Sequence, residues 1–307
     1  MKIAIIGAGG VGGYFGARLA KAGHSVQFLA RGAHLAAIRD KGLRIESEIE
    51  RFTVDKPDAT DDPAQLAPAD VMLVATKLWD LEATGRQLAS AVAPHTVVIP
   101  FQNGVEAVDL LSQGLPRERI AAGVAYIAAL IGAPGTIVHT GTMSRLRVGA
   151  LHAAQQDTLR AFVEAGTAAG FGAELVDNPA RMLWEKFVAL NALSALTAVT
   201  RQDVGTIRAD ADQRAVLDAV FREGLALARA SGVSMADDFE ANGLRMFDGL
   251  PATMRASMAH DLLAGRRLEA PWLCGAVVRR AAALGVPVPA NAAIWAALKP
   301  FANGAPA

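Results

Sequence analysis

Lys2-Ile3-Ala4-Ile5-Ile6 runs straight into Gly7-Ala8-Gly9-Gly10-Val11-Gly12, and an alanine- and leucine-rich helix follows through Lys21. A strand, a G-x-G-x-x-G turn and a helix in that order form a dinucleotide-binding signature. Gly7 permits the tight turn, Gly9 lets backbone N–H groups approach a pyrophosphate, and Gly12 lets the helix pack close on the strand. The helix N-terminus then faces the phosphates. This feature commits the N-terminal half to an α/β fold.

In proteins of this class an Asp or Glu near the end of the second strand accepts a hydrogen bond from the adenosine ribose 2′-hydroxyl. Here the second strand, Ser25 to Leu29, ends in Ala30-Arg31 with no acid. A guanidinium instead forms charge-assisted bonds to a 2′-phosphate, which points to NADP(H).

With 307 residues, 52% of them hydrophobic and 20% charged, the chain has material for two domains with large cores. Thirty basic residues balance thirty acidic ones, so no global field draws the protein to nucleic acid or to an anionic membrane surface. The single Cys274 cannot form an internal disulfide, and a first strand starting at Lys2 leaves no room for a signal peptide; both suit a cytoplasmic location. Between Ile120 and Ser144 there is no Asp, Glu, Lys or Arg, yet Gly123, Gly132, Pro134 and Gly135 interrupt the run, which reads as sheet and turn rather than a membrane span.

Strand-like runs at Lys2–Ile6, Ser25–Leu29, Val71–Ala75, Thr96–Pro100 and Ala122–Ile127 alternate with helical patterns, predicting a parallel sheet covered on both faces. Gly42–Val54 and Gly135–Val148 read as antiparallel additions. From Pro179 the pattern turns helical: Arg181–Thr200, Asp210–Ser231, Pro251–Ala264, Pro271–Leu284 and Asn291–Phe301, with stops at Gly232, Gly265 and Gly285. The expected architecture is an N-terminal Rossmann-like parallel-sheet domain, residues 1–177, and a C-terminal all-α domain, residues 178–307.

Ligands sit at the carboxyl edge of an open α/β sheet, where the third and fourth strands deliver Thr76-Lys77 and Gln102-Asn103-Gly104. In the helical half, Lys186 heads fourteen residues, Phe187 to Thr200, without an acid or base. A lysine there either snorkels to solvent or is desolvated, and desolvation lowers its pKa toward the range of a proton donor. Ser194 lies on the same face, two turns on. Ser257 and Asp261 share a helix face, and Glu269 stands at the entrance to the next helix, placed either for the helix dipole or for catalysis.

Taken together, these segments resemble the ketopantoate reductase (2-dehydropantoate 2-reductase) family over nearly the full length. The resemblance rests on Gly7 to Gly12, Ala30-Arg31, Thr76-Lys77, Gln102-Asn103-Gly104, Pro134-Gly135-Thr136-Ile137-Val138-His139, Trp184-Glu185-Lys186-Phe187, Leu196-Thr197-Ala198, Ser257-Met258 with Asp261 and Glu269, and Gly285-Val286-Pro287-Val288-Pro289. It implies that Gly7, Ala8, Gly9, Gly10, Val11, Gly12, Arg31, Lys77 and Asn103 bind NADPH, that Lys186 is the general acid, and that Glu269 partners the substrate hydroxyl or the lysine. Asn103, Ser194, Ser257 and Asp261 then contact substrate. The implied reaction is reduction of a 2-keto acid, foremost 2-dehydropantoate, in a cleft between the domains, by a monomer or homodimer working in pantothenate supply. The chain departs from the family where Asn is common: Leu190 and Ser194 after the lysine, with Asn191 one step off that face, and Met254 before Ser257. Those departures favour a bulkier or more apolar 2-keto acid as the alternative substrate. A non-catalytic NADPH sensor is the remaining alternative, and the pairing of Lys186 with Glu269 argues against it.

Overall fold

The computed structural model describes residues 1–305, which divide into two compact units: Met1–Gln102 with Glu106–Pro179, and Asn103–Val105 with Ala180 onward. The first unit contains, in chain order, β1 (Lys2–Ile6), α1 (Gly10–Lys21), β2 (Ser25–Leu29), α2 (Gly32–Lys41), β3 (Leu43–Ser47), β4 (Phe52–Val54), β5 (Asp58–Thr60), β6 (Val71–Val74), α3 (Leu81–Leu88), β7 (Val97–Pro100), α4 (Ala107–Leu111), β8 (Ala122–Ala133), β9 (Thr136–Gly149), α5 (Gln156–Ala168) and β10 (Gly172–Leu175).

β5-β2-β1-β6-β7 form a wholly parallel sheet. Strands β6 and β7 are buried at every residue, as expected of strands covered on both faces. Helix α1 buries Tyr14, Phe15, Ala17 and Leu19, with Tyr14 against the His139 ring of β9 and Phe15 against Phe171, while Gly12 and Gly16 face the parallel sheet. Each large side chain so buried contributes about 1.5–3 kcal/mol. Gly16 permits the close approach, since a Cβ there would stand 2.6 Å from Phe28.

The second sheet runs β10-β9-β3-β4, with β8 antiparallel to β9. The expectation for Ala122–Ile127 is thereby corrected: this segment opens β8 and is paired antiparallel, not in the parallel sheet. The cause is local, because β8 leads not into a crossover helix but into a tight turn at Gly135, whose φ is +77°. The predicted additions do join this sheet, though β3 and β10 pair with β9 in parallel.

The second unit is helical: α6 (Pro179–Thr200), α7 (Val204–Ala209), α8 (Ala211–Ala230), α9 (Phe239–Gly249), α10 (Ser257–Leu263), α11 (Cys274–Leu284) and α12 (Pro289–Leu298). α6 is long and apolar enough to cross a membrane by length and composition, and 67% of its most apolar window is buried inside the protein. It forms the centre of a core completed by Leu217, Val220 and Phe221 of α8, Phe247 of α9 and Val277 of α11. The helix expected over Pro251–Ala264 is shorter, because Ala252 and Met254 give their carbonyls to the N–H groups of Gly205 and Val204 instead of continuing a helix. α7 and α9, not foreseen from the sequence, are short amphipathic segments.

One polar network crosses this core. The Glu223 carboxylate accepts from the N–H groups of Ala290 and Asn291 and from Asn291 Nδ2 at 2.7 Å, while Asn291 Oδ1 accepts from Asn191 at 2.8 Å. Both asparagines are fully buried. Asn291→Ala is expected to destabilise the protein by about 2–3 kcal/mol, because the fully buried Asn191 loses a partner that water cannot replace and Glu223 loses one of its three donors. The urea unfolding midpoint measures this.

Candidate functional site

In the second unit, Lys186 Nζ donates to Asn103 Oδ1 at 3.1 Å, and Asn103 Nδ2 donates to Glu269 Oε2 at 3.2 Å. The amide is therefore oriented from both sides, its oxygen toward the ammonium and its nitrogen toward the carboxylate. Glu269 is 7% exposed and lies between the fully buried Leu268 and Ala270. It precedes a single 3-10 turn, Ala270–Trp272, and α11 begins only at Cys274, so the carboxylate caps no helix N–H. Burial pushes the Lys186 amine down to about 8, and the Glu269 charge opposes that shift. At pH 7 such an amine is still about nine-tenths protonated and is a competent acid.

Asn103 reaches this trio on a short excursion. It follows directly on Gln102 of the first unit, and Gly104 turns the chain with φ +107°, a Cβ there standing 3.2 Å from the Trp272 carbonyl. The next loop is held as firmly: Arg208 donates one guanidinium nitrogen to the carbonyls of Phe247, Asp248 and Leu250. That clamp and the α7 bonds to Ala252 and Met254 fix the segment leading to Ser257.

The other residues singled out from the sequence are placed as follows. Ser194 is buried on α6, and Ser257 is the exposed first residue of α10. Asp261 is ion-paired with Arg266 at 2.9 Å. Leu190 is partly buried and Met254 is 38% exposed. Asn191 is drawn into the network with Asn291.

In the first unit, Gly7 takes φ +97° and its N–H bonds to the Leu29 carbonyl. A Cβ on Gly12 would run into the Gly7 carbonyl, whereas one on Gly9 would meet open space. The Gly9 N–H has no hydrogen-bond partner among the described residues. At the carboxyl edge of the parallel sheet, Gln102 Nε2 donates to the carbonyls of Val74 and Thr76, while Gln102 Oε1 and Thr76 Oγ1 are buried with no partner. Lys77 is exposed, its amine 5.5 Å from the Trp79 ring centroid. Arg31 follows β2 with its side chain 86% exposed and only a long contact to Asp80, 3.4 Å. Unpartnered backbone donors, orphaned polar atoms at the strand ends and an exposed guanidinium suit an extended polyanionic ligand.

Sequence reasoning passed over His34, Arg208 and the bracing role of Gln102. Only His34 left a signal, a histidine one turn into the helix that follows Arg31.

Residues 3–153 match the family model described as ketopantoate reductase PanE/ApbA, and residues 178–302 match its C-terminal model. This chain belongs to the ketopantoate reductase family. A 2-dehydropantoate 2-reductase of Caulobacter vibrioides is 32% identical over 97% of this chain and 98% of its own length. A PanE/ApbA family ketopantoate reductase from Ralstonia eutropha superimposes with a TM-score of 0.89 at 35% identity, covering 98% of both chains. A D-mandelate dehydrogenase solved with NADH and anilino(oxo)acetate shares the fold at a TM-score of 0.89 and 20% identity, again over 98% of each chain. Membership of the ketopantoate reductase family makes the protein an oxidoreductase.

Proposed function

We propose that this protein reduces a 2-keto acid with NADPH, foremost 2-dehydropantoate to pantoate. The observation that carries the reading is the hydrogen-bonded chain Lys186–Asn103–Glu269, in which a cation of lowered pKa is held in a desolvated position by an amide. Residues of the glycine turn and Arg31 fit the cofactor: the Gly9 N–H has no partner among the described residues, and the exposed guanidinium suits a 2′-phosphate. When bound, NADPH supplies the hydride that reaches the keto carbon. Lys186 stabilises the developing alkoxide and gives it a proton. Asn103 holds the ammonium in line, and the Glu269 charge keeps it protonated near neutral pH. Lys77 is assigned to the cofactor, and Ser194, Ser257 and Asp261 to the substrate; for Asp261 this requires release from Arg266.

A second reading keeps the chemistry and changes the acid. Leu190 and Met254 stand where an amide would grip a hydroxylated substrate, and both offer apolar surface. The D-mandelate dehydrogenase of this fold was solved with the aryl compound anilino(oxo)acetate, and an aryl or branched 2-keto acid suits such residues. Following NADPH absorbance with 2-dehydropantoate beside phenylglyoxylate and branched 2-keto acids separates the two. The first reading expects the highest kcat/KM with 2-dehydropantoate, the second with the apolar acids. NADPH binding without turnover of any 2-keto acid would defeat both.

A further inference from the structure

His34 lies in the first turn of α2, three residues after Arg31, and is partly buried. Its two ring nitrogens are committed to different segments. The Gly135 N–H in the β8–β9 turn donates to Nδ1 at 3.0 Å, so Nδ1 carries no proton; Nε2 does, and it donates to the Ala8 carbonyl at 2.8 Å. Burial lowers the imidazole pKa, which favours the neutral ring this arrangement needs.

The Ala8 carbonyl and the Gly9 N–H belong to one rigid peptide plane and point in opposite directions. Holding the carbonyl on His34 therefore turns the Gly9 N–H the other way, and this N–H has no partner among the described residues, at a residue where even an added Cβ would meet nothing within 4 Å. The same β8–β9 hairpin presses on the turn from a second point, since a Cβ on Gly10 would run into the Ala129 carbonyl. Left to itself, a Gly-Ala-Gly-Gly segment would lose this orientation readily, because glycine has the widest choice of backbone conformations.

We infer that His34 is a positioning residue for the cofactor: by pinning the Ala8–Gly9 peptide between α2 and the hairpin turn, it presets the backbone donor that meets the pyrophosphate. This rests on the reading that the glycine turn holds NADPH.

The test separates the two nitrogens. A glutamine places its amide nitrogen near the Nε2 position and can keep the bond to Ala8; an asparagine reaches only as far as Nδ1 and can keep the bond to Gly135. The NADPH dissociation constant is measured by fluorescence titration for wild type, His34→Gln, His34→Asn and His34→Ala, together with kcat at saturating NADPH and the melting temperature. His34→Asn and His34→Ala are expected to weaken NADPH binding by about tenfold, the weight of one hydrogen bond that preorders a flexible loop. Gln should recover most of that affinity, and kcat should stay within about twofold in all. Each conservative variant keeps one of the two bonds, so the comparison survives if the alanine variant fails to fold. Equal NADPH affinity in the Gln and Asn variants, or losses that follow melting temperature alone, would overturn the inference. Absence of NADPH binding by wild type would instead overturn the reading beneath it.

Discussion

Lys186→Ala is expected to lower kcat by about 10²- to 10⁴-fold, the usual contribution of a positioned general acid. Binding of NADPH should hardly change, so the loss falls on the chemical step. The pH profile supplies the second check. The wild-type amine has a pKa near 8, lowered by burial and partly restored by the Glu269 charge. Reduction consumes the protonated form, so the rate should be flat below that pH and fall as pH rises through about 8. Glu269→Gln removes the charge that raises the pKa, and the falling limb should move to lower pH. A near-wild-type kcat for Lys186→Ala, or a limb indifferent to Glu269→Gln, would demote the trio to a structural bridge.

For Arg31→Ala the expected result is a selective rise in KM for NADPH, with KM for NADH nearly constant. A charge-assisted bond to a phosphate contributes about 1.5–3 kcal/mol, a factor of about ten to over a hundred. Arg31 is well placed to give this up to a ligand, because its side chain is 86% exposed and its contact to Asp80 is long. Asp80→Asn should move the preference the other way, by a few-fold, since it removes the carboxylate that competes for the guanidinium. Steady-state kinetics with both cofactors measure the two variants together, and high salt should shrink both effects. Equal losses for NADPH and NADH would remove the assignment of Arg31 to a 2′-phosphate.

Much of the site was legible because its signals are short in sequence. The glycine turn needs only its own residues and the strand before it. Arg31 is read from its position at the end of β2, and Lys186 from the apolar run that follows it. Asn103, by contrast, was visible as a strand-end residue, but nothing nearby in the chain says that its amide faces Lys186, 83 positions on, and Glu269, 166 positions on. The family resemblance named Asn103 and Glu269; the bonds that order them join α6, the loop at Asn103 and the segment before α11, which are remote from one another in the chain.

The misread elements have the same origin. Ala122–Ile127 has the apolar character of a parallel strand, and only its pairing with β9 makes it antiparallel. The segment before Ser257 carries a helical pattern, yet α7 takes its carbonyls.

By itself, the sequence determined the strand–turn–helix that opens the chain, the alternation that makes the first half an α/β sheet, the apolar helix behind Lys186 and the family to which these belong. These follow from steric rules and periodicities that act within a few residues. Only the tertiary structure decided which polar groups meet: His34 with Ala8 and Gly135, Gln102 with Thr76, Asn103 with Lys186 and Glu269. Hydrogen bonds form over about 3 Å between atoms far apart in the chain, and no local preference encodes that distance.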